Sequence, residues 1–65
     1  MALVLYAQWD NDVHGWHYVL KRDGEGVIDT DDFKALGQAF IGQGVKRRAA
    51  EQAVKTAQSV GVAAV

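Results

Sequence analysis

The sequence predicts an α+β domain: a three-stranded antiparallel meander, with a fourth short strand as an option, packed against one main C-terminal helix. Three observations carry that prediction. Residues 2–9 and 16–21 alternate between two sets of side chains at period 2, as strands with two distinct faces do. Asp23-Gly24-Glu25-Gly26, followed by Val27 and Ile28, supplies residues that tolerate positive φ, as a hairpin turn requires. Ala49, Ala50, Ala53, Val54, Ala57 and Val60 recur at helical spacing and form one apolar stripe.

The chain in order gives each element its reason. In the first strand, residues 2–9, Leu3, Leu5, Ala7 and Trp9 share one face and Val4, Tyr6 and Gln8 the other. Apolar side chains on both faces argue for a central strand. Residues 10–15, Asp10-Asn11-Asp12-Val13-His14-Gly15, are rich in turn formers and make a long hairpin connection. Trp16, Tyr18 and Leu20 then alternate with His17, Val19 and Lys21 in the strand about which the rest is organised. Asp29-Thr30-Asp31-Asp32 can cap a helix, because side-chain oxygens accept from orphan N–H groups. Phe33, Leu36 and Phe40 fit a helical period that Gly37 interrupts. A brief helical turn at 31–36 followed by an extended segment is expected, with Ala39-Phe40-Ile41 a candidate fourth strand. Residues 43–60 read as the main helix, and Gly61 as its stop. Val62-Ala63-Ala64-Val65 is an apolar tail that either frays or lies in a seam with another chain. The expected core is Trp16, Tyr18, Leu20, Ile28, Phe33, Phe40, Ala50, Val54 and Ala57. Should the other pleat face inward, Tyr6 and Val19 replace some of these.

Size and composition bound the rest. Sixty-five residues make one domain, 1–65, and a chain this short buries only about 60% of the surface its unfolded form exposes. No cysteine is present, so stability must come from packing or from a second copy rather than a disulfide or thiolate metal site. The net charge of −1 carries no global nucleic-acid signature. It is unevenly spread. Asp10, Asp12, Asp23, Glu25, Asp29, Asp31 and Asp32 outweigh Lys21 and Arg22 over residues 10–32. Lys34, Lys46, Arg47, Arg48 and Lys55 outweigh Glu51 over residues 33–65, so an acidic loop end and a basic helix are expected. The apolar start lacks a basic segment and is too short for a signal peptide, and no run reaches the ~20 apolar residues of a membrane helix. A cytoplasmic protein that makes no membrane contact is the expectation.

The order of features resembles the small bacterial YegP-like domains, a family of unknown function. The residues that carry the resemblance are Tyr6, then Trp16-x-Tyr18-x-Leu20-Lys21, then Asp23-Gly24-Glu25 leading to Val27-Ile28, then Phe40, and Val54-Lys55 within the helix. It spans roughly residues 3–58. Three departures stand out: Gly26 adds a residue after the turn, as a β-bulge would; segment 29–39 is longer; and the family's helix-capping Ser is replaced near Gly42. The resemblance implies a compact ββ(β)α unit, often paired with a copy of itself, and no activity.

Candidate chemistry is sparse. Asp10-x-Asp12-x-His14-Gly15 opens like a calcium loop, but the fifth and twelfth places, which need an oxygen and a bidentate Glu, hold His14 and Lys21. His14 and His17 with Asp10 or Asp12 have the chemistry of a zinc or nickel site, yet positions 14 and 17 of a strand point to opposite faces. Gly24-x-Gly26 and Gly42-x-Gly44 are too weak for phosphate loops, and Lys46-Arg47-Arg48 after Gly44 is no P-loop. No nucleophile–base pair or Gly-x-Ser-x-Gly elbow is present, so neither an enzyme nor a cofactor is implied.

Two functions follow. The first is a non-enzymatic protein-interaction module, self-associating as a homodimer or docking on a protein partner through Tyr6, His17 and Val19 of an uncovered sheet face. A small phage- or mobile-element-encoded inhibitor of a host protein belongs to this class. The alternative is a nucleic-acid-binding domain that uses the basic edge formed by Lys46, Arg47, Arg48 and Lys55, or the aromatic sheet.

Overall fold

The computed structural model describes residues 2–65. The chain runs β1 (Leu3–Asp10), β2 (Gly15–Arg22), β3 (Glu25–Thr30), α1 (Phe33–Gly42), α2 (Arg47–Val60) and β4 (Val62–Ala64). The strands form one antiparallel sheet in the order β3-β2-β1-β4. The expected α+β class, central meander and main C-terminal helix are all present.

The β2–β3 turn follows local chemistry. Asp23 and Gly24 have φ of 51° and 85°. Two central residues at positive φ are the mark of a type I′ hairpin, whose twist matches that of the flanking strands. Asp23 also fastens the start of the chain: Ala2 N donates to its Oδ1 at 2.6 Å, and its own N donates to Ala2 O at 2.7 Å. The bulge expected beside Gly26 is there. Leu20 pairs with Ile28 and Lys21 with Gly26, which leaves Val27 as the extra residue.

Three segments correct the sequence reading. The stretch expected as a turn at 31–36 plus an extended run is a ten-residue helix. Asp32 caps it by accepting from Lys34 N at 3.0 Å. Gly37 does not break it, because that position faces open space and loses only about 1 kcal/mol of helix propensity. Leu36 and Phe40 flank it and are buried, each contributing roughly 1.5–3 kcal/mol. Residues 39–41 are therefore helix, not a fourth strand. α1 ends in a Schellman motif: Gly44 has φ of 75°, its N donates to Ile41 O, and Val45 N donates to Phe40 O. That motif takes the chain to Val45 and Lys46 is the next N-cap, so α2 starts at Arg47 rather than at 43.

The fourth strand comes from the tail instead. Gly61, at φ 93°, closes α2 by donating to Ala57 O and turns the chain back. Val62, Ala63 and Ala64 then pair with Tyr6, Leu5 and Val4 along the free edge of β1. The tail neither frays nor waits for another chain, because β1 offers unpaired N–H and C=O groups within reach and Ala63 enters the core.

Both helices lie on one face of the sheet, α2 against β1 and β4 and α1 against β3. Leu5, Ala7, Tyr18, Leu20, Leu36, Phe40, Ala53, Val54, Ala57 and Ala63 form the core. Trp16, Ile28 and Ala50 pack at its margin. Phe33, expected inside, is 60% exposed. It stands on the first turn of α1 with Tyr18 as its ring neighbour, 6.1 Å between centroids, and solvent over most of the rest.

Candidate functional site

Cross-strand partners point to the same side of a sheet, so the register sorts every residue. Leu5 opposite Leu20 and Ala7 opposite Tyr18 face the helices. Val4, Tyr6, Gln8, His17, Val19, Lys21, Asp29 and Val62 fall on the other face, which no element among the described residues covers. The option that Tyr6 and Val19 turn inward is not adopted. The helical layer is alanine-rich and sits close, and the pleat with Ala7 and Ala63 leaves room for it while Leu5, Tyr18 and Leu20 fill the rest. Tyr6 is left 44% exposed and Val62, on the adjacent strand, 42% exposed.

The polar groups of this face are arranged around the apolar ones. Lys21 Nζ lies 5.8 Å from the centre of the Tyr6 ring, within cation–π range. His17 Nε2 is hydrogen-bonded to Asp29 Oδ1 on the neighbouring strand. Tyr6, Gln8, His17 and Val19 border a shallow depression of about 280 Å³, closed at one side by Gly61.

At one end of the sheet, Trp9 and Trp16 pack edge to face with centroids 5.6 Å apart, and Trp9 Nε1 donates to Asn11 Oδ1 at 2.8 Å. Asp12 N donates to Asp10 Oδ1 at 2.9 Å. These bonds close the acidic loop on itself. His14 stays in that loop, at φ 51°, while His17 lies on β2. Among the described residues, no three His, Asp or Glu side chains gather as metal ligands would.

The seven residues singled out as contacts divide between two surfaces. Tyr6, His17 and Val19 share the uncovered sheet face. Lys46, Arg47, Arg48 and Lys55 are exposed on the helical layer, on the opposite side of the molecule. Lys46 is the N-cap of α2, and Arg47 Nε donates to Glu51 Oε1 at 3.1 Å. A second apolar feature lies on that layer, a groove of about 430 Å³ between α1 and α2 with Phe33, Phe40, Ile41 and Val45 in its walls.

The sequence reading set Lys21 on the pleat of His17 and Val19 without naming it as a contact, and it did not place Asp29 or Val62 on that face. Lys21 and Asp29 were legible from the alternation of β2 and the hairpin register. Val62 was not, since four apolar tail residues carry no period. No helix among the described residues is long and apolar enough to cross a membrane. No family model, no curated protein and no solved structure matches this chain.

Proposed function

We propose that the chain is a non-enzymatic protein-interaction module that self-associates through the uncovered face of its sheet. Val4, Tyr6, Val19 and Val62 form the apolar contact, and His17 and Lys21 stand at its rim. The observation that carries this reading is the placement of both helices on one side. It leaves a large aromatic and three valines from adjacent strands together on the other. A contiguous apolar patch rimmed by polar groups is what protein contacts use.

Sedimentation over a concentration series tests it. The wild-type chain is expected to form dimers. The double variant Tyr6→Thr/Val62→Thr keeps strand-forming residues while removing apolar area, and is expected to weaken association about tenfold or more. A wild-type chain that sediments as a monomer throughout overturns the reading. So does association that survives this variant and is lost on Phe33→Ser/Ile41→Ser, which would move the contact to the groove between the helices.

A further inference from the structure

The uncovered face carries a lysine and an aspartate beside its apolar residues. Two rows of residues cross it. One is Val62, Tyr6, Val19 and Asp29, on β4, β1, β2 and β3 in turn. The next is Ala64, Val4, Lys21 and Gly26 on the same four strands. The rows are two residues apart along the strands, about 7 Å.

We infer that two copies of this chain pack sheet to sheet about a two-fold axis that runs across the strands midway between these rows, with Lys21 of each copy paired to Asp29 of the other. This rests on the self-association proposed above and specifies its geometry. Such an axis exchanges the rows and keeps the strand order. Tyr6 then lies over the partner's Val4, and Val62 over the partner's Ala64, so a larger side chain meets a smaller one each time. Asp29 lies over the partner's Gly26, where no side chain obstructs it. The Lys21 stem covers the partner's Val19, and on association its ammonium group swings from its own Tyr6 ring, on the β1 side of β2, to the partner's Asp29 on the β3 side. His17, hydrogen-bonded to Asp29, holds that carboxylate on the contact face. By symmetry each contact occurs twice, as an isologous interface requires.

The competing two-fold axis, parallel to the strands between β1 and β2, does the opposite. It sets Asp29 over the partner's Val62 and Lys21 over the partner's Val4. Asp29 would then meet an apolar group with only His17 of its own chain as a polar neighbour, and Lys21 would lie against the partner's Val4 with no carboxylate of the partner in reach. Size makes the charges decisive. Four strands at about 4.8 Å and six residues at about 3.4 Å give a footprint of roughly 400 Å² per copy. A standard interface buries about 800 Å² per partner, so apolar contact alone leaves this one weak.

The test is a charge exchange read by sedimentation at low salt from about 10 µM upward. Lys21 and Asp29 are both exposed, Asp29 with 68% of its side chain accessible, so neither substitution disturbs the core. Lys21→Glu alone sets a new carboxylate against Asp29 of the partner subunit, and Asp29→Lys alone sets a new ammonium against Lys21 of the partner subunit. Each is expected to associate about tenfold or more weakly than wild type, because like charges meet twice. An equimolar mixture of the two variants meets opposite charges at both places. It is expected to recover association to within about threefold of wild type, as a heterodimer. A mixture no stronger than its components overturns the proposed orientation. So do single variants that associate as wild type does. If association is then still lost on Tyr6→Thr/Val62→Thr, the sheet face remains the contact and only the axis is wrong. A wild-type chain monomeric at every concentration overturns the face and the axis together.

Discussion

Tyr18 and Gln58 meet across the core: the Tyr18 hydroxyl, on the central strand β2, accepts from Gln58 Nε2 in the last turns of α2 at 2.8 Å. The ring is buried and the amide half-buried. This bond joins two elements 40 residues apart in the chain and fixes how far along β2 the helix lies. Tyr18→Phe keeps the ring and leaves the amide without this partner. It is expected to lower stability by about 0.5–1.5 kcal/mol in urea titration. Tyr18→Ala removes the ring as well and is expected to cost about 3–5 kcal/mol, a large share of the stability of so small a domain.

Phe33 and Leu36 separate the observed α1 from the shorter turn that the sequence alone suggests. Leu36 is buried and Phe33 mostly exposed. Leu36→Ala is expected to cost about 2–5 kcal/mol, against about 1 kcal/mol or less for Phe33→Ser. Equal effects in thermal unfolding would contradict the observed orientation of the helix.

Gly61 decides whether β4 forms. Its φ of 93° is strained for any residue with a Cβ. Gly61→Ala is expected to cost about 1 kcal/mol or more by urea titration. Removing residues 62–65 is expected to cost more than Gly61→Ala, since it also uncovers the edge of β1 and deletes buried Ala63. A truncated chain as stable as the full one would show that the strand contributes nothing.

The basic residues of α2 lie on the layer opposite the proposed contact. Arg47→Glu/Arg48→Glu is therefore expected to leave self-association within about threefold of wild type at about 0.15 M salt, where charges on the opposite layer are screened from the contact. Loss of association in this variant would return the weight to the basic helix. Retention of nucleic acid by the wild type alone, weakening steeply with salt, would do the same.

Local chemistry is what made some elements legible. Alternation along Trp16–Lys21 and the Asp23-Gly24 turn act over a few residues, so the central hairpin could be read directly. The alanine stripe of α2 and the stop at Gly61 are equally local. α1 was read short because Gly37 lowers propensity, and the burial of Leu36 and Phe40 that outweighs it exists only once β3 is in place. The uncovered face was legible as two alternatives, since β1 and β2 carry apolar residues on both pleats.

The sequence by itself determined the class of the fold, the hairpin at its centre and the body of the main helix, because each follows from period or turn chemistry within a short span. Tertiary structure alone decided three things. It paired Val62–Ala64 with β1, because a tail without periodicity takes the edge that is open to it. It carried α1 through Gly37, because burial exceeds a single residue's propensity. It chose which pleat the helices cover, because only there do Ala7 and Ala63 let the alanine face of α2 approach, and that choice put Tyr6, Val19 and Val62 on the uncovered face.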